Sequence, residues 1–139
     1  YSNLGQYERA IQDYDEAIRL DPQDALAYNN RGIAYSKLGQ YERAIQDYDE
    51  AIRINPQDAV SYYNRGNVYF HQGEYERAIQ EYDEAIRLNP QNGLLYNDRG
   101  YTYEKLGKRV ESERDIRKAK ELGYSPWWWD AEFYSRTSS

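Results

Sequence analysis

The stretch LGQYERAIQDYDEAIRLDPQD, residues 4–24, begins again at residue 38 with only two changes, Leu20 to Ile54 and Asp21 to Asn55. A third copy, QGEYERAIQEYDEAIRLNPQN, begins at residue 72, and a worn fourth, LGKRVESERDIRKAKELGYSP, begins at residue 106. The starts of the four copies are equally spaced along the chain. A fixed period of about 34 residues indicates a chain built from stacked copies of one structural unit.

One period, residues 25–58, contains two apolar stripes with helical spacing that meet near Gly39. Steps of three, four and seven residues place these side chains on one face of a helix. The first stripe is Ala27, Tyr28, Ala34, Tyr35 and Leu38, and the second is Tyr41, Ala44, Ile45, Tyr48, Ala51 and Ile52. The pattern predicts a helix, a short turn and a second helix.

The ends of these helices are also marked in the sequence. Asn55 precedes Pro56, and a residue before proline is disfavoured in the helical region, so the second helix ends there. Asp58 is placed to cap the next helix, and Asp24 and Asn92 occupy the equivalent sites.

Glycine recurs inside each first helix, at Gly32, Gly66 and Gly100. A mid-helix glycine costs about 0.5–1 kcal/mol relative to alanine. Its recurrence predicts that the helices approach too closely there for a Cβ atom. A single helix pair cannot bury its own apolar stripe, whereas stacked pairs can, which favours a solenoid.

The chain resembles the tetratricopeptide repeat family. The residues of the middle period that match this family's repeat pattern are Tyr28, Gly32, Tyr35, Gly39, Tyr41, Ala44, Tyr48, Ala51 and Pro56. The resemblance implies an all-α fold, a right-handed α-solenoid of stacked helix-turn-helix repeats with a C-terminal capping helix. The expected units are a partial repeat with only its second helix at 1–24, repeats at 25–58 and 59–92, a degenerate terminal repeat at 93–124, and an aromatic capping helix and tail at 125–139.

Arg31, Arg65 and Arg99 depart from the family pattern, which usually has leucine at that place. Acidic residues recur with the same period on the second helices, at Asp13, Asp47, Glu81 and Asp115. We expect each arginine to pair with one of these acids across a repeat interface. The alternative is that the arginines simply extend into solvent.

The composition of the chain argues against several classes of function. The net charge of −6 and the pI near 4.9 argue against nucleic-acid binding and against an anionic membrane surface. There is no cysteine, no signal peptide pattern and no transmembrane-length apolar run, so a cytoplasmic location is only the default expectation. His71 is the only histidine, and no phosphate-binding loop occurs. We therefore expect no enzyme activity, no metal and no cofactor.

The family resemblance implies a concave groove, lined by the first helices, that binds peptides or protein segments. The groove residues carried over are Asn29, Asn30, Ile33, Lys37, Tyr63, Asn64, Asn67, Phe70, His71, Asn97, Asp98, Tyr101 and Lys105. The basic clamp that holds acidic chaperone tails in some members is absent. Asn30 and Asn64 are similar to a ladder of asparagines that holds a peptide backbone, and Asp98 breaks that ladder. Asparagine is also common on exposed helix faces.

The two ends suggest a further contact surface. We expect Tyr7 and Tyr14 to lack the partner helix that a complete repeat provides. Ser125 and Pro126 indicate a helix start, and an aromatic cluster follows: Trp127, Trp128, Trp129, Phe133 and Tyr134. This cluster either caps the last repeat or inserts into another molecule. A membrane-interface anchor is a third alternative that lacks supporting basic residues.

The sequence thus favours a non-catalytic protein-interaction module that binds a peptide or protein segment in its groove. One alternative is a structural scaffold that forms homo-oligomers through its exposed ends and tryptophan-rich tail. Another is a regulatory or targeting fragment of a larger protein.

Overall fold

The computed structural model describes residues 3–124, and within this range every regular element is an α-helix. The helices are α1 (Asn3–Leu20), α2 (Ala25–Lys37), α3 (Tyr41–Ile54), α4 (Ala59–His71), α5 (Tyr75–Leu88), α6 (Gly93–Lys105) and α7 (Arg109–Glu121). Each helix packs against the next one in the chain, and α2 also contacts α4. The predicted α-solenoid is therefore confirmed. The predicted capping helix lies outside the described residues.

The predicted caps begin three of the helices. Asp24 Oδ1 accepts a hydrogen bond from the Ala27 amide at 3.1 Å, and Asp58 and Asn92 accept equivalent bonds at the starts of α4 and α6. These bonds satisfy amides that have no partner within the first turn of a helix.

Glycine allows the turn inside each repeat. Gly39 has a positive φ, in the left-handed region that residues with a Cβ rarely adopt. This conformation lets the Gln40 amide donate back to the Tyr35 carbonyl at 2.9 Å, which closes the end of α2.

The mid-helix glycines are explained by close packing, as predicted. A Cβ added to Gly32 would lie 2.7 Å from the Tyr48 ring, and one added to Gly66 would lie 2.8 Å from the Tyr82 ring. Both tyrosines are almost completely buried, so neither ring can simply swing into solvent. The aromatic core residue of the second helix thus fills the space that a side chain on the glycine would need.

Each of the recurring arginines binds two acids, and the prediction about them was only partly right. Arg31 donates from Nε and Nη2 to the two carboxylate oxygens of Asp47 at 2.9 and 2.8 Å, and from Nη1 to Asp15 at 2.8 Å. Asp47 belongs to the same repeat as Arg31. The bond across the repeat interface goes instead to Asp15, two residues after the predicted Asp13.

Arg99 repeats this arrangement with Asp115 and Asp83, but Arg65 does not. Arg65 Nη1 donates to Asp49 at 2.7 Å, and its Nη2 donates to Glu81 at 2.9 Å. Its Nε is buried without a hydrogen-bond partner. The longer glutamate side chain therefore satisfies one donor where aspartate satisfies two.

Candidate functional site

A cavity of about 270 Å³ lies between helices α4, α5 and α6. Its lining residues are Tyr63, Asn67, Phe70, His71, Tyr82, Asp98 and Tyr101. The first helices α4 and α6 supply all of these except Tyr82, and all except Tyr82 belong to the predicted groove set. Tyr82 was missed because the family pattern assigns its position to the core.

Aromatic rings form most of the wall. The Phe70 ring lies 5.6 Å from the Tyr101 ring, with 30° between their planes, and it also packs edge-on against Tyr75 at 5.1 Å. Tyr63 and Tyr82 form a second pair, with ring centroids 5.9 Å apart. Rings held by such contacts are rigid, apolar surfaces that are suited to binding.

One acid, Asp98, lies among these rings. The Tyr63 hydroxyl donates to Asp98 Oδ2 at 2.6 Å, and Asn97 Nδ2 donates to Oδ1 at 3.2 Å. Burial raises the pKa of the Asp98 carboxyl above its ordinary value, and these two hydrogen bonds only partly oppose that effect. Burial likewise raises the pKa of Tyr63, with a further contribution from the charge of Asp98. The Tyr63 hydroxyl thus remains a donor at neutral pH.

The same inter-repeat link recurs one repeat earlier with different residues. Asn64 Nδ2 donates to Asn29 Oδ1 at 3.3 Å, across the same sequence separation that joins Tyr63 to Asp98. Asn29 also donates to Ser61 Oγ at 2.9 Å. Tyr63 thus takes the place of Asn29, and Asp98 takes the place of Asn64. The link between these repeats therefore joins a tyrosine hydroxyl to a carboxylate instead of joining two amides. The shared sequence separation is the signal that could have revealed this pairing.

Two predicted groove residues are buried in the structure. Asn29 is 3% exposed and Asn97 is 5% exposed, and both amides donate to polar side chains: Asn29 to Ser61 on α4 and Asn97 to the adjacent Asp98. A ligand in the groove cannot reach them without displacing these bonds.

The remaining predicted residues differ in availability. Asn30 has no hydrogen-bond partner among residues 3–124, whereas Asn67 accepts a bond from Tyr82 at 2.6 Å. The exposed residues of the set are Ile33, Lys37, His71, Tyr101 and Lys105. His71 stacks on Tyr41 with ring centroids 6.3 Å apart, and Lys105 Nζ lies 5.2 Å from the Tyr101 ring centroid.

Only the first of the two predicted end contacts lies within the residues that the structure describes. Tyr7 and Tyr14 are partly buried on α1, while Leu4 and Leu20 on the same helix are largely exposed. The aromatic cluster of Trp127, Trp128, Trp129, Phe133 and Tyr134 lies outside the described residues.

Family comparisons agree with this architecture. A tetratricopeptide repeat model matches residues 25–58, another of the same description matches 47–80, and a model described as TPR repeat matches 1–39 and 66–107. The chain belongs to the tetratricopeptide repeat family. No match was found among curated proteins.

Solved tetratricopeptide repeat structures share the fold closely. A crystal structure of MamA is 32% identical, with a TM-score of 0.80 over 86% of this chain and 70% of that one. MamA from Desulfovibrio magneticus RS-1 is 26% identical, with a TM-score of 0.78 over 86% and 68%. YrrB, described as a TPR protein with an unusual peptide-binding site, is 30% identical, with a TM-score of 0.73 over 79% and 57%. This fold is typical of protein–protein interaction modules.

Other kinds of site find no support in the part of this tetratricopeptide repeat array that the structure describes. Among residues 3–124, no three His, Asp or Glu side chains are grouped so that they could hold a metal ion. Within the same range, no helix combines the length and the apolar character that crossing a bilayer requires. The aromatic cavity is the candidate site because six of the predicted groove residues line it.

Proposed function

We propose that this array is a non-catalytic interaction module that binds a peptide or protein segment along its first helices. The observation that supports this function best is the cavity between α4 and α6, where Phe70 and Tyr101 stand beside the half-buried acid Asp98. A few aromatic side chains often supply most of the binding energy of an interface. The likeness to solved tetratricopeptide repeat proteins, one of them described by its peptide-binding site, points the same way.

Further apolar residues extend the proposed surface beyond the cavity. Leu26 and Val60 occupy equivalent places in successive repeats, in the first turns of α2 and α4, and both are largely exposed. Ile33 on α2 is also exposed. Asn30 lies on the same helix, and its unpaired amide offers both a donor and an acceptor to a peptide backbone. An extended segment could thus meet apolar and polar contacts in successive repeats.

A display selection of random peptides tests this proposal. The purified protein is compared with Tyr101→Ser, which removes an exposed ring of the cavity, and with Val110→Ser, which removes an exposed side chain of α7 that does not line it. We expect selected peptides to lose binding to the first variant and to keep it with the second. Failure of the folded protein to enrich any peptide, or equal loss with both variants, would refute the proposal.

Self-association is the alternative function. Its support is the exposure of Leu4 and Leu20 on α1, which packs against α2. Sedimentation equilibrium distinguishes the two functions. A defined oligomer that dissociates on replacing both leucines with serine would favour the scaffold, whereas a monomer at all concentrations would exclude it.

A further inference from the structure

We propose that the cavity beside Asp98 receives a basic side chain, lysine or arginine, from the bound segment. This inference rests on the proposed peptide binding and states which chemistry the cavity selects. Asp98 differs from the other partly or fully buried acids in what compensates its charge. Asp47, Glu81 and Asp115 each bind an arginine of their own repeat. Asp98 forms no salt bridge with any residue of the described range, 3–124.

The cost of burying a charge makes this contrast informative. A carboxylate removed from water is destabilising unless a cation and hydrogen bonds compensate it. Asp98 receives one hydrogen bond on each oxygen, from Tyr63 and from Asn97. Each carboxylate oxygen can accept two such bonds, so acceptor capacity remains for a donor that comes from outside. The missing component is a positive charge.

The walls around Asp98 suit the same occupant. The rings of Tyr63, Phe70 and Tyr101 line the cavity, and aromatic faces attract ammonium and guanidinium groups. Their apolar surface also suits the methylene stem of a lysine or arginine side chain. At about 270 Å³ the cavity falls below the roughly 300–1,000 Å³ of sites for drug-sized ligands. Its size therefore matches one long side chain.

Two residues of this chain, Lys105 and His71, lie close enough to the cavity to affect the binding of a cation there. Lys105, four residues after Tyr101 on α6, already places its ammonium 5.2 Å from the centre of that ring. It forms no salt bridge with Asp98 within the described residues, and its side chain is exposed. His71 also lines the cavity and stacks on Tyr41. Lys105 shows that the Tyr101 ring accepts a cation, and it opposes a second one only as an exposed, screened charge.

The test compares peptides and variants on the same folded protein. Random twelve-residue peptides are selected by display, and the best binder is resynthesised with each basic residue replaced by norleucine, which keeps the stem and removes the charge. Titrations by fluorescence anisotropy use the natural chain, Asp98→Asn and Asp13→Asn. Asp13 is an exposed acid on α1, so its replacement changes the net charge equally without touching the cavity.

We expect one lysine or arginine in the selected peptides to be essential. Its replacement by norleucine is expected to weaken binding at least about tenfold, as is Asp98→Asn, while Asp13→Asn changes affinity less than about twofold. Asp98→Asn should not weaken the norleucine peptide further, because the two changes remove the same charge pair. Lys105→Gln removes a like charge and should strengthen binding of the basic peptide.

Three outcomes would overturn the inference. Peptides that require Tyr101 but show no basic preference would leave the proposed function intact and refute the cation site. If the norleucine peptides bind the natural chain with unchanged affinity, the cation site is also refuted. This outcome does not depend on whether the variants fold. Selection of no peptide at all would refute both the proposed function and this inference.

Discussion

The buried Nε of Arg65 predicts that the chain becomes more stable when Glu81 is shortened to aspartate. At the equivalent places in the neighbouring repeats, Asp47 and Asp115 each accept two hydrogen bonds from an arginine, through Nε and Nη2. Glu81 accepts only one, from Nη2 of Arg65. Glu81→Asp therefore copies a geometry that this protein already uses twice.

The size of the expected stabilisation follows from giving the buried Nε of Arg65 a hydrogen-bond partner. A buried polar group without a partner costs about 1–3 kcal/mol. Aspartate is a poorer helix former than glutamate by a few tenths of a kcal/mol, and this cost reduces the gain from the new hydrogen bond. We expect the free energy of unfolding to rise by about 0.5–2 kcal/mol. For a domain of this size that corresponds to an increase in Tm of about 2–6 °C.

The reverse substitution is the matched control. Asp47→Glu introduces the Arg65-type geometry at Arg31 and should lower the free energy of unfolding by a similar amount. Urea denaturation followed by circular dichroism measures both variants under one condition. A less stable Glu81→Asp, or an Asp47→Glu that is as stable as the natural chain, would refute the explanation based on side-chain length.

Three further predictions concern charge, pH and packing. Asp47 is buried whereas Asp49 is largely exposed, so in urea denaturation Asp47→Asn should cost about 2–4 kcal/mol and Asp49→Asn less than about 1 kcal/mol. Burial raises the pKa of Asp98 in the folded chain, so the stability it confers is complete below the unfolded pKa of about 3.9 and is lost as pH rises through the folded value. The stability of Asp98→Asn relative to the natural chain should therefore increase between pH 4 and pH 7, and an unchanged difference in urea denaturation would contradict this. A Cβ at Gly66 would clash with a buried tyrosine ring, whereas one at Gly5 meets nothing nearby. Gly66→Ala should therefore destabilise the fold by roughly 1 kcal/mol or more, and Gly5→Ala should not; thermal denaturation distinguishes them.

Most of the fold could be predicted because the same local signals recur with one period. The stripes, the caps and the mid-helix glycines each appear in several copies, and a repeated cost such as Gly32 identifies a shared packing contact. The arginine partners were harder, since Asp13 and Asp15 are both acids on α1 and only the packing geometry selects Asp15.

The candidate site depends on the residues that differ between repeats. The family pattern indicates which first-helix positions can face a groove, but not whether an amide at such a position turns away. Asn29 and Asn97 do turn away, because Asn29 donates to Ser61 on α4, the first helix of the following repeat, and Asn97 donates to the adjacent Asp98. The role of Asp98 likewise depends on Tyr63 in the preceding repeat, which no single-repeat pattern contains.

The position of Asp98 also suggests why a destabilising residue is tolerated. A carboxylate whose pKa is raised by burial weakens the free protein at neutral pH, and functional sites commonly trade stability for binding in this way. A basic side chain bound beside Asp98 would offset the destabilisation that this buried carboxylate causes in the free protein.

The most direct test of the account is to map a display-selected peptide on the protein by NMR chemical-shift perturbation. We expect the largest shifts on α4 and α6, at Tyr63, Phe70 and Tyr101, and we expect them to vanish in Tyr101→Ser but to persist in Val110→Ser. Shifts confined to α1, or to α3 and α7 with Phe70 and Tyr101 unchanged, would contradict it.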